Sequence, residues 1–132
     1  MIIGLGNDII AIDRIARIIK RYGQVFIEKI YTSQEIVHSK RYGCPKKQAA
    51  FFAKRFAAKE ACVKALGTGI RNGIGWKQIE VTQGEYGKPE LVLSGDAQLR
   101  LLSLATSDTI PRIHLALSDD SSYALATVVI DG

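Results

Sequence analysis

Phe56-Ala57-Ala58-Lys59-Glu60-Ala61-Cys62-Val63-Lys64-Ala65-Leu66-Gly67 is the stretch on which the fold turns. It completes a run from Lys46 to Leu66 that reads as the longest helix of the chain, with Gly67 placed to end it. At 3.6 residues per turn, Phe52, Phe56 and Val63 share an apolar side, and Ala53, Ala57, Glu60, Ala61 and Lys64 share the adjoining one. Glu60 and Lys64 are one turn apart and point the same way. The alanines around them carry little bulk, so a ligand is expected to come close to the helix there. A carboxylate, an ammonium and a low alanine floor suit a metal-bound phosphate. The plainer alternative is a solvent-facing i,i+4 ion pair worth a few tenths of a kcal/mol.

Upstream, Gly43-Cys44-Pro45 breaks the chain, and Thr32-Ser33-Gln34-Glu35 has the form of a capping box opening a short helix. Before it lies a short helical piece whose apolar members are Val25, Phe26 and Ile30. Residues from about Ile10 to Tyr22 have helical periodicity. Ile12, Ile15, Ile18, Ile19 and Tyr22 lie on one side, Arg14, Arg17 and Arg21 on another, and Gly23 stands at the end. Met1 to Asp8 reads as a strand that Asp8 closes. Downstream, Thr68 to Gly75 is a glycine-rich loop, and Ile79–Thr82 and Glu90–Leu93 are strands around a turn at Gly84–Pro89. Asp96 is placed to cap a helix with Leu99 and Leu102 inward, and Ile113–Leu117 and Tyr123–Ile130 are late strands. Helices early and strands late, after one N-terminal strand, predict an α+β fold rather than a doubly wound one.

The 132 residues predict a single domain over 1–132, and neither repeats nor a long polar linker divide it. With 47% apolar and 23% charged residues the chain has the balance of a globular protein, and no apolar run reaches the roughly 18 residues of a membrane span. An acidic residue by position 8 argues against a signal peptide, and Cys44 and Cys62 form no metal-ligand spacing, so a cytoplasmic location is expected. Charge is uneven. Residues 1–77 hold 15 Lys or Arg against 5 Asp or Glu, whereas residues 78–132 hold 3 against 8. The basic half predicts an anionic partner: nucleic acid, an acidic protein or a phosphorylated small molecule. Asp8 stands far from Glu60 in sequence. Alone it reads as a cap or turn residue, but if the fold joins the two carboxylates, they fit the one or two that Mg²⁺ usually takes from a protein.

Gly6-Asn7-Asp8-Ile9 with Arg14 downstream, then Arg55-Phe56-Ala57-Ala58-Lys59-Glu60-Ala61, then Lys64-Ala65-Leu66-Gly67-Thr68-Gly69 together resemble the holo-(acyl-carrier-protein) synthases, the short bacterial type of 4′-phosphopantetheinyl transferase. The resemblance runs over nearly the whole chain. It takes in Phe26, Thr32, Glu35, the loop near Asn72, Gly87-Lys88-Pro89, and the strand from His114 to Ser118.

The resemblance implies a small antiparallel sheet packed on the long helix, a homotrimer, and a role in fatty acid biosynthesis. It implies transfer of the 4′-phosphopantetheine group of coenzyme A to a serine of apo acyl carrier protein, releasing adenosine 3′,5′-bisphosphate. It makes Asp8 and Glu60 the ligands of Mg²⁺ and Lys64 a catalytic contact to the phosphates. A metal-bound water, Asp8 or Glu60 would take the serine proton. Lys47, Arg55, Lys64, Gly67, Pro89 and His114 become coenzyme A contacts. Arg14, Arg17 and Arg21 become a basic stripe docking the acidic carrier protein.

Two rivals remain at this point. A nucleic-acid-binding module would use the basic half, although the chain has neither zinc-finger spacing nor an RRM-like aromatic motif. A catalytically silent carrier-binding subunit would be expected to lack one of Asp8, Glu60 and Lys64, and all three are present.

Overall fold

The structure is a computed structural model, and it describes residues 1–106 and 108–132. Its centre is the helix α4 (Pro45–Leu66). Pro45 occupies the first turn, where a missing N–H costs nothing, and Gly67 ends the helix in the left-handed region at φ 78°. Thirteen of its 22 residues are buried, far more than one amphipathic stripe, because elements pack on several sides of it.

A three-stranded antiparallel sheet lies against one side. β1 (Ile2–Ala11), β5 (Tyr123–Asp131) and β4 (Arg112–Asp119) are ordered β1-β5-β4, so the N-terminal strand joins the two late ones. In β5, Ala124, Ala126, Val128 and Ile130 are buried, while Tyr123 and Leu125 are exposed on the opposite face. β1 alternates in phase with it: Asp8 pairs with Ala126 and Gly6 with Val128. From Gly4 onward, past a register shift after Ile2, the even-numbered residues of β1 therefore face α4. The sequence placed Asp8 at the end of this strand. It lies inside it instead, because β5 supplies hydrogen-bonding partners as far as Ala11. The turn or cap reading of Asp8 falls with this, since α1 (Ile12–Tyr22) is preceded by Ala11.

α1 crosses α4 and buries Ile12 and Ile15, while Tyr22 is exposed. α2 (Gln24–Ile30) buries Ile27 and Ile30, and Val25, expected to be one of its apolar contacts, is exposed. α3 (Ser33–Ser39) opens with the expected capping box: Thr32 accepts from the Glu35 N–H, and Glu35 accepts from the Thr32 N–H. β2 (Ile79–Gln83) and β3 (Pro89–Leu93) form a separate two-stranded sheet. α5 (Gly95–Ser103) starts after Ser94, so Asp96 is inside it rather than capping it. Ala97 and Leu101 face inward, and the expected Leu99 and Leu102 face out.

Candidate active site

A close approach of β1 to α4 brings the site together. A Cβ on Gly6 would lie 2.7 Å from the Ala65 nitrogen, 3.0 Å from Lys64 Cβ, and nearer still to the Ala61 carbonyl oxygen. A Cβ on Gly4 would lie 2.6 Å from the Ala65 carbonyl oxygen. Side-chain-free positions on β1 thus meet alanines on α4, backbone against backbone. The alanine side of α4 was expected to floor a ligand site. Ala53, Ala57 and Ala61 are instead wholly buried, and what comes close there is protein, including β1.

That contact has a consequence two residues further on. Asp8, on the same face as Gly6, reaches the next turn of α4, where Glu60 and Lys64 emerge. Asp8, Ile9, Ile10, Arg14, Phe56, Glu60 and Lys64 line one cleft of about 290 Å³. Lys64 Nζ donates to Asp8 Oδ1 at 3.2 Å and to the Asn7 carbonyl at 2.9 Å. The plain i,i+4 reading had Lys64 answering Glu60, whereas its ammonium is bonded to the strand. Glu60 is half-buried. Partial burial first, and then the facing Asp8 carboxylate, raise its pKa above the ordinary carboxyl value, while Lys64 and Arg14 pull it back. Two carboxylates from distant parts of the chain share a cleft with two cations. Among the described residues no three His, Cys, Asp or Glu side chains converge as a metal cage.

The other residues singled out from sequence lie elsewhere in the subunit. Arg55 is buried with its guanidinium 3.7 Å from the Phe51 ring centroid and Nη2 3.4 Å from His38 Nδ1, and its Nε has no partner among the described residues. Burial lowers its pKa. His38 is half-buried; burial, then Arg55 and Arg41, lower its pKa. Lys47 lines a different cleft with Tyr42, Lys54 and Asp119. Gly67 ends α4, and Arg100 Nε donates to the neighbouring Leu66 carbonyl at 2.9 Å. Pro89 starts β3 opposite Gln83. His114 is exposed on β4, with Nε2 2.5 Å from Asp131 Oδ2. Arg17 pairs with Asp13 at 3.5 Å and Arg21 lies over the Tyr22 ring, both on the exposed side of α1. Of that stripe Arg14 lines the cleft.

Sequence reasoning missed two features. Phe56 is a wall of the cleft as well as an apolar residue of α4. Lys59, read only as part of a motif, is fully buried and paired with Glu35. A signal for it existed: at i+7 from Phe52 and i−4 from Val63, Lys59 falls on the apolar side of α4.

Comparison with known proteins shows the family and the fold. The model of the family described as the 4′-phosphopantetheinyl transferase superfamily matches residues 4–128. The chain is 49% identical over 130 residues to a holo-(acyl-carrier-protein) synthase of Wolbachia pipientis, covering 98% of each chain. It is similar to the crystal structure of the Neisseria meningitidis holo-(acyl-carrier-protein) synthase, with a TM-score of 0.86, 37% identity and full coverage of both chains. The Bacillus anthracis holo-(acyl-carrier-protein) synthase in complex with CoA (3′,5′-ADP) matches with a TM-score of 0.79 and 35% identity, over 98% of this chain and 96% of that one.

Proposed function

We propose a metal-assisted mechanism, centred on the Asp8–Glu60 cleft, for this chain, which belongs to the 4′-phosphopantetheinyl transferase superfamily. The enzyme transfers the 4′-phosphopantetheine group of coenzyme A to a serine of apo acyl carrier protein and releases adenosine 3′,5′-bisphosphate. The serine oxygen bonds to the phosphorus bearing pantetheine. The bridging P–O bond of the diphosphate breaks, its electrons leave with the bisphosphate, and the hydroxyl proton passes to an acceptor in the site.

The observation that carries the mechanism is the convergence of Asp8 and Glu60 in one cleft with Lys64 and Arg14. Burial first, and then the facing Asp8 carboxylate, raise the Glu60 pKa, and the like-charge part of that is what a cation relieves. Mg²⁺ takes one or two protein carboxylates and completes its shell with water and phosphate oxygens, so this pair fits it. When bound there, Mg²⁺ would neutralise diphosphate charge. Asp8 and Glu60 would hold it. The Lys64 ammonium, released from Asp8, turns to the phosphate oxygens and balances charge on the leaving group. Arg14, at the rim, contributes a second cation toward the same oxygens.

Lys47, Arg55, Gly67, Pro89 and His114 lie outside this cleft in one subunit, and in this reading a homotrimer gathers the coenzyme A contacts from neighbouring subunits. The outer sheet face supports it: Leu5, Ile9, Tyr123 and Leu125 are 66%, 63%, 52% and 40% exposed there, apolar side chains that a neighbouring subunit would cover. Arg14, Arg17 and Arg21 dock the acidic carrier protein. No helix among the described residues is long and apolar enough to cross a membrane, and we place the enzyme in the cytoplasm, serving fatty acid synthesis. The test is to incubate the protein with apo carrier protein, coenzyme A and Mg²⁺ and weigh the carrier protein. It should gain one phosphopantetheine, and the gain should vanish with EDTA and in Glu60→Ala. Full activity in either case would refute the metal site.

A further inference from the structure

A buried ion pair begins at Lys59, the residue before Glu60 on α4. Lys59 and Glu35 form an ion pair whose side chains have no exposure. Lys59 Nζ donates to Glu35 Oε1 at 2.7 Å, the Trp76 carbonyl at 3.2 Å and the Ile79 carbonyl at 2.5 Å, which uses all three ammonium hydrogens. Glu35 accepts in addition from the Thr32 N–H at 2.9 Å and the Val81 N–H at 3.0 Å. Burial pulls the Lys59 pKa down, and the Glu35 carboxylate opposes that.

Stability alone is a poor reason for such a pair. Moving two charges out of water is costly, and well-packed apolar residues often hold a core as well. What an apolar pair cannot do is fix two carbonyls. The two that Lys59 holds bracket a single 3₁₀ turn over Trp76–Gln78, which follows the glycine-rich loop. That loop has positive φ at Gly69, Asn72 and Gly73, and Lys59 adds to the anchors the turn has in the buried Ile74 and in the Gln78 side chain, which donates to the Gly73 carbonyl and accepts from the Ala97 N–H. Fixing the turn fixes the Trp76 ring, which stacks on Phe56 with centroids 5.2 Å apart and planes 25° from parallel. Phe56, one turn before Glu60 on α4, is the aromatic wall of the cleft.

We propose that Lys59, held by Glu35, is a positioning residue for phosphopantetheine transfer: it sets the Trp76 turn, and through the Trp76–Phe56 stack it sets the wall beside Asp8, Glu60 and Lys64. The inference rests on the cleft being the reaction site. It requires the ammonium and the indole to act in series, so removing either forfeits the same contribution to the reaction and removing both forfeits it once.

Trp76 is the only tryptophan in the chain, so its fluorescence reports on the turn directly. The test compares Glu35→Gln/Lys59→Met, which removes both charges together, with Trp76→Ala and with the triple variant. The paired variant should stay folded by circular dichroism, and its Trp76 emission should move to longer wavelength. It and Trp76→Ala should each lower kcat/KM by about tenfold, as loss of a fixed wall displaces the substrate. The triple variant should be no worse than either. Trp76→Phe, which keeps a ring on Phe56, should recover most of the loss, and divalent-ion affinity measured by calorimetry should not change. A shifted emission with wild-type kcat/KM, or losses that multiply in the triple variant, would overturn the proposal. If the paired variant does not fold, Trp76→Ala against Trp76→Phe decides, and equal activity of the two overturns it. Glu60→Ala in parallel separates the cases. Activity in Glu60→Ala would sink the cleft itself, whereas an inactive Glu60→Ala beside a fully active Trp76→Ala sinks this inference alone.

Discussion

Gly6→Ala adds one methyl group where β1 touches α4. The new Cβ would sit 2.7 Å from the Ala65 nitrogen and 3.0 Å from Lys64 Cβ, with the Ala61 carbonyl oxygen closer still. Two of these three atoms are backbone inside a long helix and cannot rotate aside. Opening the contacts to an ordinary separation of about 3.5 Å moves the strand back from the helix by about 1 Å. Overpacking of this kind costs roughly 1–3 kcal/mol. For a chain of this size that lowers Tm by roughly 4–12 °C. The larger effect falls on the reaction. Asp8 is two residues away on the same face of β1, so its carboxylate retreats with the strand while Glu60 stays on α4. Displacing a reacting group by about 1 Å costs on the order of 100-fold in rate. Transfer to the carrier protein, assayed well below the lowered Tm, should therefore fall by about two orders of magnitude in kcat/KM. Gly43→Ala is the matched control, because nothing lies within 4 Å of its added Cβ. Gly6→Ala with unchanged Tm and kcat/KM would refute both the close contact and the idea that it sets the carboxylate spacing.

Lys64→Met should tighten divalent-ion binding to the resting protein severalfold, because it removes the ammonium bonded to Asp8, while kcat falls; calorimetry showing weaker binding would remove Lys64 as a competitor. Glu60 holds its proton more tightly in the fold than an ordinary carboxyl near 4.5. In the metal-free protein, its contribution to stability is therefore present at acid pH and lost as pH rises through the raised value. Urea unfolding across that window should show the decline in wild type and a flatter profile in Glu60→Gln. Because Glu60 must ionise to hold a cation, metal affinity should rise with pH over the same window. Finally, KM for carrier protein should climb with ionic strength far more than KM for coenzyme A, and Arg17→Glu/Arg21→Glu should raise the former with little change in kcat. Equal salt dependence of the two constants would take the docking role away from these arginines.

How much of this was readable beforehand follows from which interactions are local. The long helix, its end at Gly67, the Thr32–Glu35 capping box and the strand β5 all depend on residues a few positions apart, and all appear close to where the sequence puts them. The inward side of α5 did not follow, because Ala97/Leu101 and Leu99/Leu102 are both apolar pairs at helical spacing and only the neighbouring elements decide which is covered. The strand end at Asp8 was misread for a similar reason: β1 runs to Ala11 because Tyr123 at the far end of the chain pairs with it.

The site divides along the same line. Helical spacing puts Glu60 and Lys64 on one side of α4, and strand alternation puts Gly4, Gly6 and Asp8 on one side of β1. Neither period says that the two sides meet. Small residues on both did carry that information, since a strand bearing Gly4 and Gly6 and a helix bearing Ala57, Ala61 and Ala65 are complementary in shape. Reading the alanines as room for a ligand, and Gly4 and Gly6 only as members of a strand, left the match unseen. Lys59 makes the complementary point. Its position on the apolar side of α4 demanded a buried partner for its charge, but the chain offers many acids. Only the packing of α3 and β2 selects Glu35, whose second oxygen is already held by the Val81 N–H. Burial of a charge can thus be read from periodicity, whereas the identity of its partner is a property of the assembled fold.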